Sequence, residues 1–259
     1  MLELLQLSVN IRQQSLVRDL SLQLQPGQLH VIIGPNGTGK TSLLRTLFGE
    51  LPLQSGDIRF NRKSRTEMPI TQWRQLFGYM PQNTQSDLEL SVLEVVVLGR
   101  LERLKLRLSD EDLRAALAAL ADLGITHLAD RPMYSLSGGQ RQMVLFAQVL
   151  LREPKLMMLD EPVSALDLQH QMQLMEHLHA KTRANDWVTI VVLHDLNLAA
   201  QFADQLIVLA DGQLQAFGHP RDVLDAGLIS RLYQVPVELY HDRDGLPYIR
   251  SVRRVSQIA

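Results

Sequence analysis

Residues 34–41 read GPNGTGKT and satisfy every specified position of the spacing G-x-x-x-x-G-K-[ST]. Each residue type there has a chemical use. Gly34, Gly37 and Gly39 let backbone amides converge on phosphate oxygens, with Pro35, Asn36 and Thr38 completing the loop. Lys40 carries a compact positive charge to the outer phosphates, and Thr41, followed by Ser42, offers a hydroxyl to Mg²⁺. The flanks agree: HVII leads in as a strand, and 40–48 follows as a helix with Leu43, Leu44, Leu47 and Phe48 on one face, stopped by Gly49. The loop predicts nucleotide binding. By itself it leaves kinase, GTPase and ATPase open.

A second set of groups sits in KLMMLDEP, where Asp160 and Glu161 end an apolar run. Ligand sites of open α/β sheets lie at the carboxyl ends of strands, so these acids are expected to face the phosphate loop. The competing reading is a solvated acidic turn before Pro162. At a strand end the carboxylates divide the work: Asp160 holds Mg²⁺, usually through water, and Glu161 polarises a water aimed at the γ-phosphate. An acid in that place points to hydrolysis more than to transfer.

The third stretch is LSGGQ at 136–140. Ser137 and Gln140 form the S-x-x-Q box that caps a helix start, which leaves Gly138 and Gly139 unexplained, since glycine costs stability at early helical positions. Close approach of an anion to exposed helix amides would explain them, and capping and phosphate contact both stand. His194 after VTIVVL and Gln82 in FGYMPQ are mute alone, one a strand-end histidine and the other a loop amide. The remaining histidines lack metal-ligand spacing, so the one metal expected is Mg²⁺ with nucleotide.

Strands and helices must hold these groups. Apolar runs at 30–33, 156–159, 188–193 and 206–209 suit a mostly parallel sheet covered on both faces, with helical patterns at 40–48, 110–123, 140–151 and 168–183 between them. The first 33 residues alternate apolar and polar types around Pro26-Gly27 and read as antiparallel strands; Asp244-Gly245 marks a hairpin near the end. From 91 to 151 the pattern is helix upon helix. The fold class is therefore α/β: a phosphate-loop NTPase core with an N-terminal antiparallel β part and an inserted α-helical subdomain at about 84–151, all within one domain of residues 1–259.

Composition narrows the setting. The chain has 259 residues, 46% of them hydrophobic, and a formal net charge of −2, so it can bury a large core and offers no basic footprint for nucleic acid. No apolar run nears the ~18 to 20 residues that span a bilayer, and MLELLQLSVN lacks the basic start of a secretion signal. With no cysteine, disulfides and thiolate chemistry are out. The expectation is a soluble, cytoplasmic chain, or one that meets a membrane only through a partner.

Taken in order, GPNGTGKT, Gln82, LSGGQ, LMMLDE, SALD at 164–167 and His194 form a set that resembles the ATP-binding subunits of ABC transporters, over nearly the whole chain. LSGGQ is specific to that class. The resemblance implies ATP hydrolysis with Mg²⁺ by a head-to-tail homodimer, in which Ser137, Gly138, Gly139 and Gln140 of one copy cap the γ-phosphate bound at the phosphate loop of the other. It implies that Gln82 senses Mg²⁺ and the membrane partner, that His194 meets the γ-phosphate, and that Asp167 couples the two sites. Implied partners are two integral membrane permeases, docked near Gln82, residues 83–87 and the helical subdomain, and indirectly a periplasmic or extracellular binding protein. The chain would then lie on the cytoplasmic face of the inner membrane.

One position departs from the family pattern: where many relatives stack an aromatic on adenine, this chain has Ile11 or its neighbours, so ATP over GTP rests on the family. VVVLGRLER, VVLHDLNLAAQFADQLIVLADGQ and GHPRDVL resemble importers of ferric siderophores, haem and vitamin B12. That ranks iron chelate or haem first, cobalamin second and other metals third. A soluble ABC ATPase of ribosomes or DNA would usually carry paired cassettes or a coiled-coil insertion, and neither is present. A nonhydrolytic assembly scaffold is opposed by Glu161 and His194.

Overall fold

Strand β1 (Leu2–Ile11) pairs antiparallel with β2 (Gln14–Leu24), and the apolar alternation of each slips phase partway along. Leu2 and Leu4 are buried, and so are Leu7 and Val9, because a bulge at Gln6 (φ 49°) restores the inward face. The computed structural model describes residues 1–11, 14–82, 89–103 and 109–252. The turn at Pro26-Gly27, with Gly27 at φ 72°, does not close an antiparallel pair as the sequence suggested. It carries the chain out of this sheet and into β3 (Gln28–Ile33), the third strand of a separate sheet.

After the phosphate loop comes α1 (Lys40–Phe48), and then β4 (Ser55–Phe60) and β5 (Lys63–Ser64) complete a four-stranded antiparallel sheet in the order β2-β1-β4-β5. Helix α2 (Ile70–Gln75) leads to β6 (Phe77–Met80), the edge of the larger sheet. Residues 91–151 carry α3 (Val92–Val97), α4 (Asp110–Asp122) and α5 (Gly138–Leu151), and no strand occurs among the described residues of that stretch. Each of these helices starts with a capping box, Ser91 with Glu94, Ser109 with Asp112 and Ser137 with Gln140. The expected lower boundary of this helical part, near 84, falls outside the described residues.

The core resumes with β7 (Leu156–Asp160), α6 (Leu168–Ala184), β8 (Val188–Val192), α7 (Leu196–Phe202), β9 (Gln205–Ala210) and β10 (Gln213–Gly218). The six-stranded sheet runs β10-β9-β3-β8-β7-β6, parallel except for β10. Alternation along its strands divides the core. Ile32, Met158, Ile190 and Ile207 face α1 and the antiparallel sheet, whereas Val31, Met157, Val191 and Val208 face α5, α6 and α7.

Helices α8 (Pro220–Val223) and α9 (Ala226–Tyr233) and the expected hairpin, β11 (Val237–His241) with β12 (Pro247–Ser251), close the described chain. Asn197 of α7 pins that hairpin by donating to the Ile249 carbonyl and accepting from its N–H at 3.1 and 2.7 Å. Among the described residues no helix is long and apolar enough to cross a membrane.

Candidate functional site

Strand β3 delivers the phosphate loop under tight steric control. A Cβ on Gly34, at φ 151°, would lie 2.0 Å from the Leu209 carbonyl oxygen, and one on Gly39, at φ 91°, would lie 2.8 Å from that of Leu16. Only glycine fits either place. Gly39 is the N-cap of α1 and supplies no side chain to cap it, so the first-turn amides of the helix remain available to an anion. Thr38 Oγ1 donates to the Pro35 carbonyl at 2.9 Å, while Lys40 Nζ donates to those of Gly34 and Pro35 at 2.7 and 2.8 Å. Burial lowers the Lys40 pKa, opposed by the charges of Glu161 and Asp160.

The other end of α1 is held by residues that carried no recognisable signal in the sequence. Trp73 Nε1 donates to the Leu47 carbonyl at 2.8 Å, Arg65 to Thr46 and Arg74 to Gly49, each at 2.9 Å. Two guanidinium groups on the last carbonyls also suit the negative end of the helix dipole. The phosphate-loop helix is thereby anchored at its far end.

Asp160 ends β7 almost wholly buried, and neither of its carboxylate oxygens has a hydrogen-bond partner. Burial raises its pKa; Glu161 adds to that, while the neighbouring Thr41 hydroxyl, Lys40 and His194 oppose it. Glu161 follows in left-handed backbone at φ 53°, with its N–H donating to the Val192 carbonyl at 3.2 Å. Its carboxylate hydrogen-bonds His194 Nε2. Gln82, just beyond β6, is exposed at the rim.

A cleft of about 710 Å³ is lined by Asn36, Gly37, Gly39 to Ser42, Gln82, Glu161 and His194. The structure thus gathers the loop, one of the two acids, the glutamine and the histidine in one place, with Asp160 buried beneath. Leu16 also lines this cleft, an apolar group that nothing in the sequence distinguished. Ile11 ends β1, but its side chain and residues 12–13 lie outside the described set, as do residues 83–88 with the expected docking stretch.

Ser137, Gly138, Gly139, Gln140 and Asp167 do not join them. They line a separate cavity of about 670 Å³ together with Ala165 and His170. Ser137 Oγ accepts from Gln140 N and Gln140 Oε1 from Ser137 N, both at 3.2 Å, so the capping box is formed. The two glycines differ. A Cβ on Gly139 would press to 2.9 Å from the Ala165 carbonyl oxygen, a packing reason for glycine, whereas at Gly138 the nearest atom would be an ordinary 3.5 Å away. Asp167 caps α6 through His170 N at 2.9 Å and pairs with His170 Nδ1 at 2.7 Å, contacts that hold its carboxyl below the usual range.

Residues 17–164 match the family model described as ABC transporter. The chain is similar to the hemin import ATP-binding protein HmuV of Methylobacillus flagellatus, with 34% identity across 99% of this chain and 98% of that one. It is 36% identical to the ferric enterobactin transport ATP-binding protein FepC of Escherichia coli, across 88% and 85%. A metal-chelate type ABC transporter in an inward-facing conformation superposes with a TM-score of 0.84 at 27% identity, covering 98% of both chains. Phosphate loop, strand-end acids and signature turn therefore sit within a chain matched from end to end, and this protein belongs to the ABC transporter family as an ATP-binding, ATP-hydrolysing subunit.

Proposed function

We propose that the chain powers an importer of haem or a ferric siderophore, as a head-to-tail homodimer beneath two membrane permeases on the cytoplasmic face of the membrane. The observation that carries the dimer is the division of the site into two cavities within one chain. A nucleotide on the phosphate loop is met by Lys40, Gln82, Glu161 and His194 but by none of residues 137–140, so the turn of a second copy completes the enclosure. With one loop and one turn per chain, a closed two-fold pair supplies two complete sites. The cargo class follows the names of HmuV and FepC.

In the cycle, Lys40 leaves the carbonyls of Gly34 and Pro35 for the outer phosphates, and the free first-turn amides of α1 share the load. The unpartnered oxygens of Asp160, with the Thr41 hydroxyl beside them and Gln82 at the rim, fit the shell of Mg²⁺, which neutralises phosphate charge when bound. Glu161 orients the attacking water and takes its proton, while His194 fixes the carboxylate and reaches the γ-phosphate. Apposition of the second copy's Ser137 and Gly138 excludes water and adds donors to the transferred charge.

Two measurements test this. ATPase rate per chain should rise with concentration in step with dimer formation by light scattering; full turnover by a strict monomer refutes the composite site. Uptake of haem and of a ferric siderophore should be followed in cells whose sole copy carries Glu161→Gln. Loss of one names the cargo, and unchanged uptake of both refutes the cargo class.

A further inference from the structure

Glu161 stands in left-handed backbone, a conformation that a non-glycine residue keeps only where its surroundings over-determine it. Its carbonyl oxygen supplies that determination by accepting three hydrogen bonds. Ser164 N donates at 3.3 Å, Ser164 Oγ at 3.1 Å and Gln142 Nε2 at 3.0 Å. Gln142 projects from the second turn of α5 and is 8% exposed. Its other end is occupied too: Oε1 accepts from Ala165 N at 3.1 Å, while Nε2 also reaches Ser164 Oγ at 3.5 Å. Donor and acceptor are both used, which fixes the amide in one orientation.

These contacts span the two cavities. Ala165 packs so closely on Gly139 that a Cβ there would not fit, and both line the cavity that holds Ser137 and Asp167. Glu161 lines the other. One side chain of α5 therefore grips the backbone of the strand-end acid and the turn that walls the second cavity.

We propose that Gln142 is a positioning residue that couples the two half-sites of each chain, holding Glu161 in register with the 137–139 and 165–167 wall. When a neighbour's nucleotide moves that wall, Gln142 carries the displacement to the acid serving the chain's own nucleotide. The proposal rests on the roles given above to Glu161 and to residues 137–139.

The test uses the full-length dimer and steady-state ATPase. Gln142→Met fills the volume without an amide. Its kcat should fall about tenfold or more, with half-saturating ATP within about twofold of the parent and a lower Hill coefficient. Gln142→Glu keeps the acceptor for Ala165 and offers a donor to the Glu161 carbonyl only when protonated, so its rate relative to the parent should rise as pH falls. A role in packing alone would lower the melting temperature and leave the rate per folded chain, the Hill coefficient and the pH ratio unmoved. Parental kcat and cooperativity in Gln142→Met overturn the coupling; if that variant does not fold, a flat pH ratio for Gln142→Glu overturns it instead. Parental turnover in Glu161→Gln removes the underlying reading, whereas a silent Glu161→Gln beside normal Gln142 variants removes the coupling alone.

Discussion

His30 lies four residues before Gly34 on β3, completely buried. Its Nδ1 is 3.1 Å from the Thr189 carbonyl oxygen, so that nitrogen carries the hydrogen and donates. Nε2 is buried with no partner, and a proton added there would be a charged donor with nothing to accept it. Burial accordingly lowers the His30 pKa from 6.5 to about 4, against smaller opposing contributions from the Thr189 carbonyl, Asp204 and the Gln28 backbone. The folded pKa lies below the unfolded one, so between these values the unfolded chain binds the extra proton. Stability is then whole above pH 6.5, is lost as pH falls through this window, and stops falling below about 4. A difference of about 2.5 pH units at about 1.4 kcal/mol each makes the full loss about 3 kcal/mol. The assay is urea denaturation at half-unit steps from pH 7.5 to 4, comparing the parent with His30→Asn, whose amide keeps a donor toward Thr189 but does not titrate. The variant starts less stable because of lost volume, yet the gap should close by about 3 kcal/mol as the pH drops. A gap that stays constant across the window refutes a neutral, buried His30.

Three further outcomes follow from the site. Glu161→Gln should retain ATP and hydrolyse it at least ~10²-fold more slowly, because the water loses its proton acceptor; equilibrium binding and phosphate release separate the two effects. Lys40→Ala should abolish measurable nucleotide binding, since it removes both the positive charge offered to the phosphates and the ammonium whose two hydrogen bonds clamp the loop at Gly34 and Pro35; unchanged affinity by calorimetry refutes the phosphate-loop role. Gly138→Ala and Gly139→Ala should part company: the first keeps or raises the melting temperature while hydrolysis falls, and the second lowers it by pressing on Ala165. Equal melting shifts for both would contradict the difference in their surroundings.

What could be read from sequence was whatever a local pattern dictates. The phosphate loop is a string of backbone constraints with one lysine, and the capping box at Ser137 is satisfied within four residues, so both stand in the structure as spaced in the chain. The parallel sheet announced itself because doubly buried strands become continuous apolar runs. Strands β4, β6 and β10 gave no such signal: SGDIRF and FGYM are short and carry glycine, and β10 is only half-buried. Reading 1–33 as one antiparallel unit failed because Pro26-Gly27 specifies a turn and not the sheet to which the turn leads. Gly139 illustrates the same limit, since its steric cause is Ala165, distant in sequence and adjacent in space. Gln142 was invisible for the same reason: one amide in an apolar helix looks like any other until its partners are known.

The segment 160–167 links the two cavities. It starts with Asp160 buried beneath the phosphate cleft and ends with Asp167 capping α6 at the second cavity. Between them the chain has little slack. Glu161 reverses direction at φ 53°, Ser164 N closes back on the Glu161 carbonyl at 3.3 Å, and Leu166 N closes on Val163 at 3.1 Å. Two successive tight turns anchored by the buried Asp160, Val163 and Leu166 move as a unit more readily than they stretch, because packed segments switch between discrete arrangements and do not deform continuously. Ala165 and Glu161 are thus joined twice, along this segment and through the Gln142 amide that hydrogen-bonds both. In the proposed dimer, a second copy pressing its nucleotide against the turn at 137–139 need displace only this short piece to reorient Glu161.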